Sequence, residues 1–210
     1  MKKQVVLLFC VTPFLLFCGN VGLAQDNQGR FGVGARVAYV DYSDDDQTFL
    51  GVEVELEPDD AVMYEVNLTY FLHEYFSLEL GVDYVETDVD INALGMSGDD
   101  GEMEQVPVLL TGRMHFSTNP KVTPYLGVGM GYYFNDFDSN RDLPDIDVDD
   151  SFGFHVNGGI EVFITDDAAI NLDIKYIWNE VDVDINLPGS GDEEFKVNAF
   201  VAGAGIKYYF

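Results

Sequence analysis

The last nine residues, AGAGIKYYF (202–210), alternate in character along the chain and stop on a bare aromatic ring. Chain ends of soluble domains are usually polar and frayed; this one has the period of a β-strand. Extended back by two residues, one face carries Phe200, Ala202, Ala204, Ile206, Tyr208 and Phe210. The other face carries Val201, Gly203, Gly205 and Lys207. An apolar face that runs to the final residue needs something to cover it.

Seven further segments share the pattern. Their apolar faces are Phe31 to Tyr39, Val62 to Leu72, Phe76 to Tyr84, Val106 to Phe116, Leu126 to Phe134, Phe152 to Ile164 and Ile170 to Trp178, taken at every second residue. No charged residue stands on that face between the ends of any segment. The alternate positions hold Arg36, Glu65, Glu79, Asp83, Arg113, Glu161, Asp173, Lys175 and Lys207, with Gly32, Gly34, Gly127, Gly129, Gly131, Gly203 and Gly205. A soluble β-sandwich also alternates, but its charged face is wet and tolerant. Glycines among charges instead suit the crowded interior of a small closed barrel. Lipid explains the other face, where a misplaced cation costs roughly 2–4 kcal/mol at mid-depth. The sequence therefore predicts an all-β protein: an eight-stranded antiparallel up-and-down transmembrane β-barrel.

The connections agree. Those near His73-Glu74, Thr118-Asn119-Pro120 and Thr165-Asp166-Asp167 are short, and the others are long and acidic. Outer-membrane barrels have short periplasmic turns and long outer loops. Rings at the segment ends form two girdles, Tyr39, Tyr64, Tyr84, Phe134, Phe152 and Trp178 outside, Tyr70, Phe76, Phe116 and Tyr208 inside. In this frame Tyr208 and Phe210 anchor the closing strand and present an aromatic signal to the barrel-assembly machinery.

Composition narrows the rest. Met1-Lys2-Lys3, an apolar stretch from Val5 to Cys18 and Gly22-Leu23-Ala24 read as a cleaved signal peptide, 1–24. A short periplasmic tail, 25–29, then precedes the barrel, 30–210. Both cysteines, Cys10 and Cys18, lie in the leader, so the mature chain is expected to lack disulfides and thiolate ligands. A net charge of −28 repels nucleic acid, while 14% aromatic residues are too many for a disordered acidic chain.

VPVLLTGRMHF (106–116), PYLGVGMGYYF (124–134), DDSFGFHVNGGIEVF (149–163) and INLDIKYIW (170–178), with the aromatic terminus, resemble the OmpW family of small outer-membrane barrels. The resemblance covers essentially the whole mature chain. It implies an eight-stranded barrel with a narrow apolar interior, associated with passage of small hydrophobic molecules. Phe152 stands where the family pattern leads one to expect Trp, and the loop from Ser43 to Asp60 has little family character.

With the N-terminus in the periplasm, inward residues sort by depth. The outer half collects Val40, Tyr42, Met63, Val85, Leu109, Tyr133, Ile177, Val197 and Val201 as an apolar lumen. The inner half collects Arg36, Glu79, Arg113, His115, Glu161, Asp173, Lys175 and Lys207, together with Asn67 and Thr111. An eight-stranded interior is just wide enough for side chains to fill, and buried ions need partners, so the lower group is expected to form a plug. The upper group is either ordinary packing or a cup for a lipophilic solute that leaves sideways into the bilayer. Pro107 lacks the amide hydrogen a central ladder needs; it marks either a gap between strands or a local bulge. Three histidines, His73, His115 and His155, form no serine–histidine pair facing lipid, so no enzyme is expected. PDIDVDD (144–150) lacks the glycine and the bidentate Glu of a calcium loop, and DVDIN at 88–92 and 182–186 reads as paired strand extensions. No residue is assigned to catalysis, a metal or a cofactor. The expected partners are membrane lipid and lipopolysaccharide, the assembly machinery and a small hydrophobic solute. A closed structural or adhesive barrel, using its acidic loops on lipopolysaccharide or host surfaces, is the competing reading.

Overall fold

A computed structural model describes residues 28–43, 45–49, 52–93, 99–116, 121–139, 146–185 and 193–210. The expected leader, 1–24, and most of the tail after it lie outside the described residues. Eight long strands form the wall: β1 (Phe31–Tyr42), β4 (Ala61–His73), β5 (Phe76–Ala93), β6 (Asp99–His115), β7 (Val122–Ser139), β9 (Ser151–Phe163), β10 (Ala168–Ile185) and β12 (Ala199–Tyr209). Each pairs antiparallel with the next. The ring closes where β12 meets β1, Gly32 opposite Tyr209 through Tyr42 opposite Ala199. Twelve residues of β1, rising about 3.3 Å each and tilted about 40°, span about 30 Å, enough for an apolar band of about 25 Å.

Four short strands extend the wall at the end of the long connections. β2 (Asp45–Phe49) and β3 (Val52–Pro58) form a hairpin that pairs with β5 from Val89 to Ala93. β8 (Ile146–Val148) and β11 (Glu193–Lys196) pair with the far part of β10. The DVDIN segment at 88–92 and residues 182–185 of the second thus continue a wall strand. The connection 43–60 differs from its reading as a loop: VEVELEP (52–58) alternates Val and Leu with Glu, and β5 gives it a ladder to join.

Exposure alternates as the period of two demands. In β1 every even-numbered residue from Gly32 to Val40 is buried and every odd one from Phe31 to Tyr39 is exposed. The girdle residues all face outward, and Tyr64 stands directly opposite Tyr84. Inside, glycines make room for the large side chains. A Cβ on Gly129 would lie 2.5 Å from the His155 ring and 2.4 Å from the Leu110 carbonyl. One on Gly159 would lie 2.3 Å from the Tyr125 hydroxyl.

At the short-turn end, Phe71, Ala169 and Tyr209 pack with Phe163, and the His115 ring lies 4.8 Å from that of Phe71. The chain end is fixed there: the Phe210 amide donates to the Phe31 carbonyl at 2.7 Å, and the Tyr209 amide to Asp167 at 2.7 Å. IKYYF therefore has two faces. Ile206, Tyr208 and Phe210 meet the surroundings, while Lys207 and Tyr209 close the interior.

Candidate functional site

The lumen has two storeys. The lower one is ionic, and among the described residues it holds four cations (Arg36, Arg113, Lys175, Lys207) against five carboxylates (Glu65, Glu79, Asp83, Glu161, Asp173), all buried. Arg36 donates to Glu65 at 2.6 Å and to Asn171 at 2.8 and 3.0 Å. Glu79 accepts from Arg113, Lys207 and Thr69. Asp173 accepts from Tyr125 at 2.6 Å and Asn157 at 2.8 Å, and Glu161 from Tyr209 at 2.7 Å. His115 bonds Ser77 at 2.8 Å and His155 bonds Thr111 at 2.9 Å. Buried charge is costly unless neutralised and hydrogen-bonded, and this network meets both conditions at nearly every group. It fills the bore with side chains from every wall strand.

All eight residues assigned to the plug lie in this network. Glu65, Tyr125, Asn157, Asn171 and Tyr209 join it without having been assigned. Their signal was face parity alone, which says inward but not against whom.

The upper storey is a cluster of Ala38, Val40, Ala61, Met63, Val85, Leu109, Tyr133, Ile177, Ala199 and Val201, with Tyr42 packed on top. Val197 lies just before β12 and lines the same space. Leu109 packs in the apolar cluster without lining that space. All the other residues assigned to the outer lumen line one cavity of about 20 Å³, room for about one water molecule. Its lining is less apolar than the assignment. Asp83, Gln105 and Asn179 join it, each two residues from an assigned or apolar inward position. Across the mouth the Tyr42 hydroxyl, from β1, donates to Gln105 of β6 at 3.2 Å. Gln105 in turn donates to Asn135 at 2.9 Å, and Asn179 to Ser151 at 3.0 Å. A polar collar therefore sits over an apolar wall.

Pro107 also lines this cavity. On one side it stands in register with Tyr133 of β7. On the other the β5–β6 ladder pairs Val82 with Val108 and then Val85 with Gln105, leaving Asp83-Tyr84 and Val106-Pro107 unpaired. Proline has no N–H to donate there. Among the described residues every other seam of the wall is continuous at this height.

A closed eight-stranded barrel, apolar outside, plugged inside and belted by aromatic rings, is a transmembrane barrel of the bacterial outer membrane. The chain belongs to the OmpW family, whose model it matches over residues 27–210. Outer membrane protein W of Vibrio cholerae is 26% identical over 212 residues, covering 95% of this chain and 98% of that protein. The crystal structure of the outer membrane protein OprG from Pseudomonas aeruginosa superposes with a TM-score of 0.74 at 23% identity, covering 88% of this chain and 97% of that one. The solid-state NMR structure of the outer membrane protein AlkL in lipid bilayers gives 0.64 at 20% identity, covering 91% and 94%. The last two likenesses establish the fold.

Proposed function

We propose that this barrel admits small hydrophobic molecules from the outer face and releases them sideways into the bilayer, without catalysis. One coincidence carries the reading: the apolar cavity ends on a charged plug, and the unpaired stretch of the wall lies beside that same cavity, at Pro107. An apolar solute gains about 25 cal/mol per Å² on leaving water, which favours the cavity and then the lipid. Crossing the plug would strip partners from several buried ions, which is disfavoured. The sideways route avoids that cost.

Ser77 and His115 make a hydrogen bond at 2.8 Å, but both are buried within the plug, away from any substrate route. This supports a positioning role in the network over chemistry. Outward Tyr208 and Phe210 on the closing strand support recognition by the assembly machinery.

Uptake by cells with and without the protein tests the reading, using one apolar and one polar solute of similar size. The apolar solute should enter faster only when the barrel is present, with the polar one unaffected. Equal rates for the apolar solute would favour a closed structural or adhesive barrel.

A further inference from the structure

Of the five buried carboxylates, Asp83 alone accepts no hydrogen bond. Both of its oxygens are unpartnered, and its nearest cation, Lys175, lies 3.7 Å away and is shared with Glu65 at 3.6 Å. Asp83 is 1% exposed, yet it lines the cavity. Two more polar atoms of that lining are buried without partners, the Tyr133 hydroxyl and the Asn179 side-chain oxygen. Orphaned buried acceptors cost free energy, and several converging on one cavity point to a ligand that supplies donors. Among the described residues the lumen also holds one carboxylate more than it has cations.

We infer that the polar side of the cavity, at Asp83 with Tyr133 and Asn179, binds the primary ammonium head of a small amphiphile whose tail lies along the apolar wall. This rests on the reading of the cavity as a solute site and names the class of solute. An –NH3⁺ group carries three donors and one positive charge. That matches a carboxylate without a hydrogen-bond donor, a free amide oxygen and a free hydroxyl, and it balances the charge of the described lumen residues. A neutral alcohol supplies one donor and no charge; a carboxylate would add an acceptor to acceptors. Exposed Asp59, Asp60, Glu86, Asp88, Glu104, Asp136, Asp149 and Asp150 surround the outer end of the wall. Such a rim raises the local concentration of cations. Entry requires the Tyr42–Gln105 bond to open, because the cavity as it stands holds only a water-sized species.

The test uses the full barrel in zwitterionic phosphatidylcholine nanodiscs, titrated in turn with hexylammonium, hexanol and hexanoate. Amide signals of Asp83 and Tyr133 and the Asn179 side-chain signal are followed by NMR. Hexylammonium should shift them saturably and at least ten-fold more tightly than hexanol, with hexanoate not saturating. Asp83→Asn should bring hexylammonium to the level of hexanol, with assembly checked by heat modifiability. The three-solute comparison on the unmodified barrel decides even where that variant does not assemble. Equal affinity for hexylammonium and hexanol overturns this inference and leaves the apolar cavity standing. Saturable shifts from none of the three overturn both.

Discussion

Arg36 and Glu65 stand directly opposite each other across the β1–β4 seam, inside the barrel, with Nη1 and Oε2 2.6 Å apart. The pair is 2% exposed on either side and ties the first wall strand to the second at plug height. Arg36→Met leaves Glu65 with the Asn67 amide at 2.7 Å and Lys175 at 3.6 Å, and Asn171 without its donor. Breaking a buried pair from one side costs about 3–5 kcal/mol. Urea titration of folding into vesicles should show that loss, and Arg36→Met with Glu65→Leu should recover part of it.

Leu109 and Leu110 are one residue apart and meet different surroundings. Leu110 faces lipid, in register with Leu80 and Met130, and Leu109 packs in the inner apolar cluster. Leu110→Arg should cost about 2–4 kcal/mol of folding stability if it lies near mid-bilayer. Leu109→Asp should assemble, because the lipid face is untouched, but slow apolar uptake by placing an unpaired carboxylate on the route. Uptake at the original rate in folded Leu109→Asp would mean the cluster is packing only.

Gly129 has no room for a side chain, with the Leu110 carbonyl and the His155 ring both within 2.5 Å of where a Cβ would sit. Gly129→Ala should destabilise the barrel by about 1–3 kcal/mol, the usual cost of overpacking. A thermal or urea midpoint equal to that of the unmodified protein would contradict the packing described.

Tyr42 spans the mouth from β1 to Gln105 on β6. Tyr42→Ala removes both the ring packed on the cluster and the bond across the lumen. Apolar uptake should rise, while the urea midpoint changes little because Tyr42 is only half-buried.

Face and strand number were legible in the sequence because lipid enforces a strict period of two, so Phe31 to Tyr39 or Ile170 to Trp178 could be sorted by parity. Height was partly legible, since the chain direction reverses at each short turn. What parity does not give is which inward residues meet across the bore. That depends on how far each ladder is staggered, and it joins Lys207 on β12 to Glu79 on β5. Glu65 and Asp83 were read as inward yet left out of both storeys for this reason. Tyr209 was hidden between two outward rings that explained the terminus on their own. The β2–β3 hairpin was missed because its alternating Glu residues resemble the acidic loops around it.

The central claim is that apolar solutes leave through the β5–β6 seam, and sealing that seam tests it directly. Tyr84 and Val106 face outward on opposite sides of the unpaired stretch. The chain's only cysteines, Cys10 and Cys18, precede the barrel, so Tyr84→Cys with Val106→Cys introduces one defined pair. Apolar uptake should be measured with this pair oxidised and then reduced. Oxidation should bring the rate down to that of membranes without the protein, and reductant should restore it. An unchanged rate across the sealed seam would contradict sideways release.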